Sequence, residues 1–327
     1  MPKPVHWGIM GTGAIARKFA SDLQVLPEAR LVAVGSRSQA QADEFGRQFG
    51  VERRHRSYED LVNDPEVEAI YVATPHSCHK DNTLLALSAN KPVLVEKPFA
   101  INARDAELVI HAAREKRVLV MEAMWTRFVP LYVRLRELLR EGVIGPVQFV
   151  RADFGFQSDA ATHPRLFDPS LGGGALLDVG VYPISLASMV LGSPVRVSGE
   201  ARMGATGVDE HDAMVFAHAH GEMALLSCAI TLNTSLDAML IGERGSIWIH
   251  PPFWKAKAMT LTREDGRQEL LEFPFEGLGY QFEALEFMHC LRSGKTESSV
   301  MSLDESLSIM KTLDALRKQW GLKYPMD

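Results

Sequence analysis

Apolar and polar positions change rhythm once along this chain. From Val5 to about residue 121, short strand-like runs alternate with stretches of helical period. The runs are Val5–Met10, Leu31–Gly35, Arg53–His55, Ala69–Ala73, Val93–Glu96 and Leu119–Met121. The helical stretches lie around Ile15–Leu26, Gln39–Phe49, Tyr58–Asn63, Lys80–Ala89 and Ala103–Glu115. Strands alternating with amphipathic helices predict an α/β fold, a doubly wound parallel sheet with helices on both faces.

After residue 124 the texture is different. A helix over Leu131–Arg140, a long strand over Val147–Phe156 and a helix over roughly Gly174–Leu191 are predicted first. Period-two alternation then marks Val195–Arg202, Ala213–Ala219, Met223–Ile230, Asp237–Ile241, Ser246–Ile249, Met259–Thr262 and Glu269–Phe273. Turn signals separate several of them, among them Gly242-Glu-Arg-Gly245 and Asp265-Gly266. The expectation is an α+β part with a large, open, mostly antiparallel sheet and helices on one face. The other face needs cover, and a second copy of the sheet is the simplest, so a homodimer is expected through this part. The chain ends helically, over Tyr280–Arg292 and then from a capping box at Ser302-Leu-Asp-Glu305. The division reads as residues 1–124 and 125–327.

Chemistry enters where the first strand ends. Gly11-Thr-Gly13-Ala14-Ile15-Ala16 is a G-x-G-x-x-A motif set between a strand and a helix. One glycine permits the tight turn, the next lets backbone approach a pyrophosphate, and helix-terminal amides face the phosphates. This is the dinucleotide site of a Rossmann domain. Where an NAD site usually carries Asp or Glu after the second strand, this chain has Ser36-Arg37-Ser38. Hydroxyls and a guanidinium suit a 2′-phosphate, so NADP is the expected cofactor, with NAD possible.

Composition adds mainly exclusions. The chain has 327 residues, a formal charge of −6 and three cysteines, Cys78, Cys228 and Cys290, without a CxxC pair. That charge offers no general attraction to nucleic acid or anionic lipid. The cysteines read as reduced thiols. No signal segment precedes the first strand, and no apolar run of membrane-spanning length is found, so the expected location is cytoplasmic. The run His76-Ser-Cys78-His79 lacks a zinc-like spacing, and no metal is expected.

Two segments place charge where burial is expected. Val93-Leu-Val-Glu96-Lys97-Pro98 brings Glu96 and Lys97 to the carboxyl tip of a strand, the ligand edge of such a sheet. Lys97 would donate to a substrate oxygen, Glu96 would hold Lys97, and Pro98 would fix the turn. Asp178 and Tyr182 sit four apart on an otherwise apolar helix behind three glycines at 172–174. Removing hydride from a carbinol needs a base for the hydroxyl proton, and a phenol with a pKa of about 10 is a poor one unless a cation lowers it.

With these motifs, Thr74-Pro-His-Ser-Cys-His79 and Gly172-Gly-Gly-Ala-Leu-Leu-Asp178-Val-Gly-Val-Tyr182, the chain resembles the Gfo/Idh/MocA oxidoreductase family over nearly its whole length. Met121-Glu-Ala-Met-Trp125-Thr-Arg127-Phe and Arg165-Leu-Phe-Asp-Pro169 are most similar to its dimeric dihydrodiol dehydrogenase and NADP-dependent D-xylose dehydrogenase subgroup. The resemblance implies that Lys97, Asp178 and Tyr182 form the substrate site, with tyrosine where many relatives carry histidine. It puts the backbone of Ala73, Thr74 and Pro75, with His76 and His79, on the nicotinamide side, and Trp125 and Arg127 beside cofactor and substrate. Phe156 and Arg165 lie in a polar, turn-rich stretch, 155–171, which is expected to cover the pocket.

The expected function is NADP-dependent hydride transfer at a carbinol or hemiacetal carbon of a sugar, polyol or cyclic trans-diol. Lys97 and Tyr182 form the acid–base pair, and Asp178 orients substrate or lysine. The rival readings are a non-catalytic NADP-binding sensor and a redox-assisted glycosidase.

Overall fold

The strands of the first part form where the apolar runs lie. Residues 3–327 are described in the computed structural model of this chain. In it β1 (Val5–Met10), β2 (Ala29–Gly35), β3 (Arg53–His55), β4 (Ala69–Val72), β5 (Val93–Glu96) and β6 (Val120–Ala123) make one parallel sheet. Its order is β3-β2-β1-β4-β5-β6, so the winding reverses between β1 and β4, where such sheets open a ligand crevice. β4, β5 and β6 are buried along their whole length, as strands covered on both faces must be. Helices α1 (Ala14–Leu23), α2 (Gln39–Phe49), α3 (Tyr58–Val62), α4 (His79–Ser88) and α5 (Ala103–Lys116) fill the intervals. Asn102 caps α5 by accepting from the Asp105 amide at 2.8 Å.

The second sheet has eight strands. After α6 (Pro130–Arg140) come β7 (Val147–Gly155), a π-helical turn at Leu176–Gly180 and α7 (Val181–Leu191). The strands β8 (Arg196–Met203), β9 (Asp209–Ala217), β10 (Met223–Ala229), β11 (Ala238–Gly242), β12 (Gly245–Ile249), β13 (Ala258–Arg263) and β14 (Gln268–Glu272) follow. The order is β14-β13-β12-β11-β7-β10-β9-β8, antiparallel except where β7 runs alongside β10. Val150, Ala152, Phe154, Ala224, Leu226, Cys228, Met214 and Phe216 form its buried face, against the π turn and α7. On the opposite face the register aligns Ser198, Val215, Leu225, Arg151, Met239, Trp248, Thr260 and Leu270 in one row across all eight strands. Val215, Leu225, Trp248 and Leu270 of that row are exposed.

The division of the chain differs from the expected one. Met1–Phe128 with Glu276–Leu307 forms one compact unit, and Val129–Phe275 with Ser308–Asp327 the other. Helix α8 (Tyr280–Arg292) therefore belongs with the parallel sheet. Trp7 of β1 packs between Phe19 and Phe287, at ring centroid distances of 5.5 and 5.0 Å. Asp22, buried at the end of α1, accepts from the amides of Leu278 and Tyr280 at 2.9 Å each, which anchors the start of α8. Helix α9 (Leu303–Trp320) opens as the capping box requires, with the Glu305 amide donating to Ser302 Oγ at 3.2 Å. Its first turn falls in the first unit and the remainder in the second.

Two further expectations are corrected. β9 begins at Asp209, four residues before the predicted Ala213, because Asp209 and Asp212 are buried polar residues that break the apolar alternation. One helical stretch, Pro169–Leu191, does have the length and mean hydropathy of a membrane span, 1.6 in its best window. That window is 78% buried inside the protein, so the stretch is a core element of the second unit.

Candidate active site

The carboxyl ends of β1, β2 and β4 enclose a cavity of about 500 Å³, lined by Gly11, Thr12, Gly13, Ser36, Arg37, Ser38, Gln41, Tyr58, Ala73, Thr74 and Pro75. Gly11 has φ +108°, and a Cβ there would lie 2.7 Å from the Ala73 carbonyl oxygen, so only glycine lets β1 turn this close to β4. A Cβ on Gly13 would meet nothing within 4 Å. Its backbone caps α1, and no side chain caps that helix end or places an acid in the first turn. The amide-rich end before Ala14 and Ile15 is thus left for an anion.

The opposite rim is the one expected to read the ribose. Ser36 is buried, and its hydroxyl accepts from the Ser38 amide at 3.3 Å, which holds the turn after β2. Arg37 is exposed on the cavity wall beside the phenol of Tyr58. Burial pushes that phenol up while Arg37 opposes the shift, so Tyr58 stays neutral. No carboxylate lines the cavity, which therefore fits a phosphorylated dinucleotide. Tyr58 and Gln41 were missing from the sequence expectation; both lie on helices whose period looked merely structural.

Beside this cavity, β5 ends in Glu96 and Lys97. Glu96 is buried, accepts from the Tyr71 hydroxyl, and accepts from the Lys97 amide at 3.1 Å. Burial, then the nearby Glu96 and Glu283, push the Tyr71 phenol far up, so it serves as a permanent donor. Glu283 on α8 is buried beside this pair, and burial and Glu96 raise its carboxyl well above the usual range. Glu96 thus fixes the backbone from which Lys97 departs. The Lys97–Pro98 peptide is cis.

His76 and His79 do not play equivalent parts. His79 is fully buried, with Nδ1 at 2.8 Å from the Pro98 oxygen and Nε2 at 3.0 Å from the Thr74 oxygen. It clasps the loop after β4 to the loop after β5, acting through the backbone beside the cavity. His76 packs edge-on against it at 5.6 Å. Trp125 is buried 4.8 Å from the Tyr280 ring. Arg127 is buried as well, and its Nη2 donates to Glu305 at 2.7 Å. Burial pushes the neighbouring Glu122 carboxyl up to about 7, against the pull of Ser306 and Arg127. Arg127 is thus a buried ion-pair partner of Glu305 and not an exposed charge.

In the second unit the expected helix is interrupted. Asp178 lies within the π turn and Tyr182 is the second residue of α7, so their spacing of four does not carry the simple α-helical meaning assumed from the sequence. The Arg165 guanidinium bonds Asp178 Oδ1 at 2.6 Å, which joins two residues expected separately at the substrate. Tyr182 packs 5.3 Å from Phe154, which stacks on Trp254 at 3.6 Å and meets Phe156 edge-on at 6.4 Å. Phe154 and Trp254 extend the site beyond the sequence expectation. The adjacent aromatics Phe253-Trp254, set between strands after two prolines, were the available signal. Together Asp178, Arg165, Tyr182 and these rings form a polar edge beside an aromatic wall, apt for a ring-shaped substrate bearing hydroxyls.

Residues 5–124 match the GFO/IDH/MocA oxidoreductase family with its NAD-binding Rossmann fold, and residues 132–248 match the GFO/IDH/MocA C-terminal domain. Trans-1,2-dihydrobenzene-1,2-diol dehydrogenase of Mus musculus is 36% identical over 335 residues, covering 99% of both chains. The Homo sapiens enzyme of that name is 35% identical with the same coverage. Among solved structures, the 3-ketoreductase KijD10 of Actinomadura kijaniata, in complex with NADP and TDP-benzene, superimposes with a TM-score of 0.86 at 27% identity over 97% of this chain and 98% of that one. The aldose-aldose oxidoreductase of Caulobacter crescentus, complexed with glycerol, gives a TM-score of 0.87 at 25% identity over 97% of each.

Proposed function

The chain belongs to the GFO/IDH/MocA oxidoreductase family, and we propose that it is an NADP-dependent dehydrogenase of cyclic trans-diols, sugars or polyols. The observation that carries this reading is the dinucleotide cavity, in which Arg37 and hydroxyls stand where a carboxylate would select NAD. When bound, NADP accepts hydride from the carbinol carbon or returns it.

The protein's own residues supply the rest. The amides at the start of α1 and the glycine turn hold the pyrophosphate, and Ser36 and Arg37 hold the 2′-phosphate. Tyr182 takes the hydroxyl proton in oxidation and returns it in reduction, while Lys97 polarises the reacting oxygen. Asp178, held by Arg165, orients a neighbouring hydroxyl. Phe154 and Trp254 exclude water and bear the apolar face of the ring.

The exposed apolar residues Val215, Leu225, Trp248 and Leu270, in one row across the second sheet with Arg151 and Thr260 between them, support a homodimer through that face. Its unpaired cysteines suit a reducing, cytoplasmic setting.

The test is nicotinamide reduction with NADP⁺ and NAD⁺ against cyclic trans-diols, aldoses and inositols, with Lys97→Met and Tyr182→Phe as controls. Turnover with NADP⁺ that both substitutions abolish supports the reading. Tight NADPH binding without turnover would replace it with the sensor, and glycoside cleavage without NADPH accumulation would replace it with the redox-assisted glycosidase.

A further inference from the structure

Beneath the segment that carries Asp178 and Tyr182 lies a pair of carboxyls that the reaction does not touch. Asp209 and Asp212 of β9 are 0% and 4% exposed. One oxygen of Asp209 accepts from the Leu176 amide, the first residue of the π turn, at 2.5 Å. One oxygen of Asp212 accepts from the Cys228 thiol of β10 at 3.1 Å. The remaining oxygen of each, Oδ1 in both cases, is buried without a donor among the described residues.

Two ionised carboxylates in this setting would repel one another without water to screen them. The two carboxyls lie within hydrogen-bonding reach of each other, so a single proton between them satisfies both. The charge then rests on Asp209, which accepts backbone N–H bonds at a helical N-terminus, and the proton on Asp212, whose other partner is only a weak thiol donor.

The π turn rests on this pair at both ends. Before it, Gly174 has φ +113°, and a Cβ there would sit 2.1 Å from Asp209 Oδ1. At its end, a Cβ on Gly180 would sit 2.8 Å from Cys228 Sγ, the sulfur that bonds Asp212. The Tyr324 hydroxyl donates to the Gly173 oxygen at 2.6 Å and completes the seat. The turn's own N-cap residue, Ala175, caps it with no side chain, and Asp209 supplies the acceptor for its first amide instead.

We propose that Asp209 and Asp212 act as a one-proton carboxyl pair that fixes the π turn, making both of them positioning residues for Asp178 and Tyr182. The inference rests on the reading of those two as substrate-site residues. Burial, and after it the Asp209 charge, push the Asp212 carboxyl up to about 9. The titratable groups facing it are Asp209 from its own strand, Cys228 from β10 and Tyr324 from the C-terminal segment, with Arg317 of α9 over the Tyr324 ring at 4.6 Å. Burial and the two aspartates raise the Cys228 thiol well above the usual range. Burial, then Asp209, likewise raises the Tyr324 phenol, so neither supplies a competing charge at neutral pH.

The deciding experiment is the pH profile of kcat for NADP⁺-dependent oxidation in wild type, Asp212→Ala and Asp212→Asn, with the NADPH dissociation constant measured alongside. An amide at 212 donates to Asp209 as the protonated acid does, whereas alanine donates nothing. The expected result is a more than tenfold loss of kcat in Asp212→Ala and its rescue by Asp212→Asn. NADPH binding should stay within twofold throughout. Wild type should lose activity as pH passes about 9, and Asp212→Asn should hold it. An identical alkaline decline in wild type and Asp212→Asn overturns the proposal, as does wild-type kcat in a folded Asp212→Ala. If the alanine variant does not fold, the asparagine profile decides alone. Normal turnover by Tyr182→Phe would overturn the site reading itself. Loss of activity in Tyr182→Phe beside indifference at 212 would overturn only the carboxyl pair.

Discussion

Arg165 and Asp178 are bonded to each other at 2.6 Å, a loop guanidinium to a carboxylate inside the π turn. On the proposed reading, a substrate hydroxyl at this edge would meet a carboxylate already held in place by a guanidinium. This contact ties the segment that carries Arg165 to the π turn.

Replacing Arg165 with Ala removes that tie. Because Arg165 is about two-fifths exposed, the loss is discounted, and kcat/KM should fall by roughly five- to thirtyfold, about 1–2 kcal/mol. Steady-state kinetics on the best diol or sugar checks it. NADPH affinity should not change, and a loss confined to NADPH affinity would contradict the role.

Arg37→Ala should weaken NADP(H) by about 1.5–3 kcal/mol, the scale of a charged hydrogen bond, and leave NAD(H) nearly unaffected. Calorimetric titration with both cofactors at one ionic strength distinguishes this from a general electrostatic effect. Equal losses for the two would remove Arg37 from the 2′-phosphate site.

The rim of the cofactor unit carries an acid-sensitive anchor. Burial alone would raise Asp64, but Arg53 at 2.5 Å, the Glu66 amide and His55 at 2.8 Å bring its carboxyl down to about 2. A carboxyl with a depressed native pKa contributes stability above its unfolded value of about 3.9, and that contribution disappears as pH falls towards 2. With Arg53 partly exposed, Asp64→Asn should cost about 1–2 kcal/mol at pH 7 and nothing measurable below the native pKa. Thermal unfolding from pH 2 to 7 reads this directly, and a pH-independent difference between the two proteins would refute it.

Leu225→Glu places a carboxylate in the middle of the exposed row on the second sheet. If two sheets meet face to face, light scattering should find the variant monomeric where wild type is dimeric, because a buried unpaired charge costs several kcal/mol. A wild type that is itself monomeric, or a variant that remains dimeric, would place any self-association elsewhere.

The alternation of elements was legible wherever side chains followed a single rule. β1, β3, β5 and α8 lie where periodicity put them, and Gly11 and Arg37, singled out by motif and position, line one cavity. The rest was hidden for specific reasons. Asp209 and Asp212 read as a polar loop because their burial is paid for by backbone amides and a shared proton that no local pattern reveals. The π turn interrupts a stretch that looks uniformly helical, since one inserted residue leaves no compositional mark. The partners of His79 and Arg127, namely Thr74, Pro98 and Glu305, lie far off in sequence or act through backbone oxygens, so no local motif announced them. Trp254 required knowing that β7 brings Phe154 beneath it.

The two-piece construction of the cofactor unit bears on how the protein is made. Trp7 lies on the first strand, yet one wall of its pocket is Phe287, and Asp22 waits for the amides of Leu278 and Tyr280. Translation must pass all of β7 to β14 before α8 can cover the first sheet. Until then the nascent N-terminal segment presents an apolar surface that is a natural client for chaperones. Truncation after residue 128 leaves that surface permanently open, so a recombinant cofactor domain needs residues 276–307 grafted back onto it.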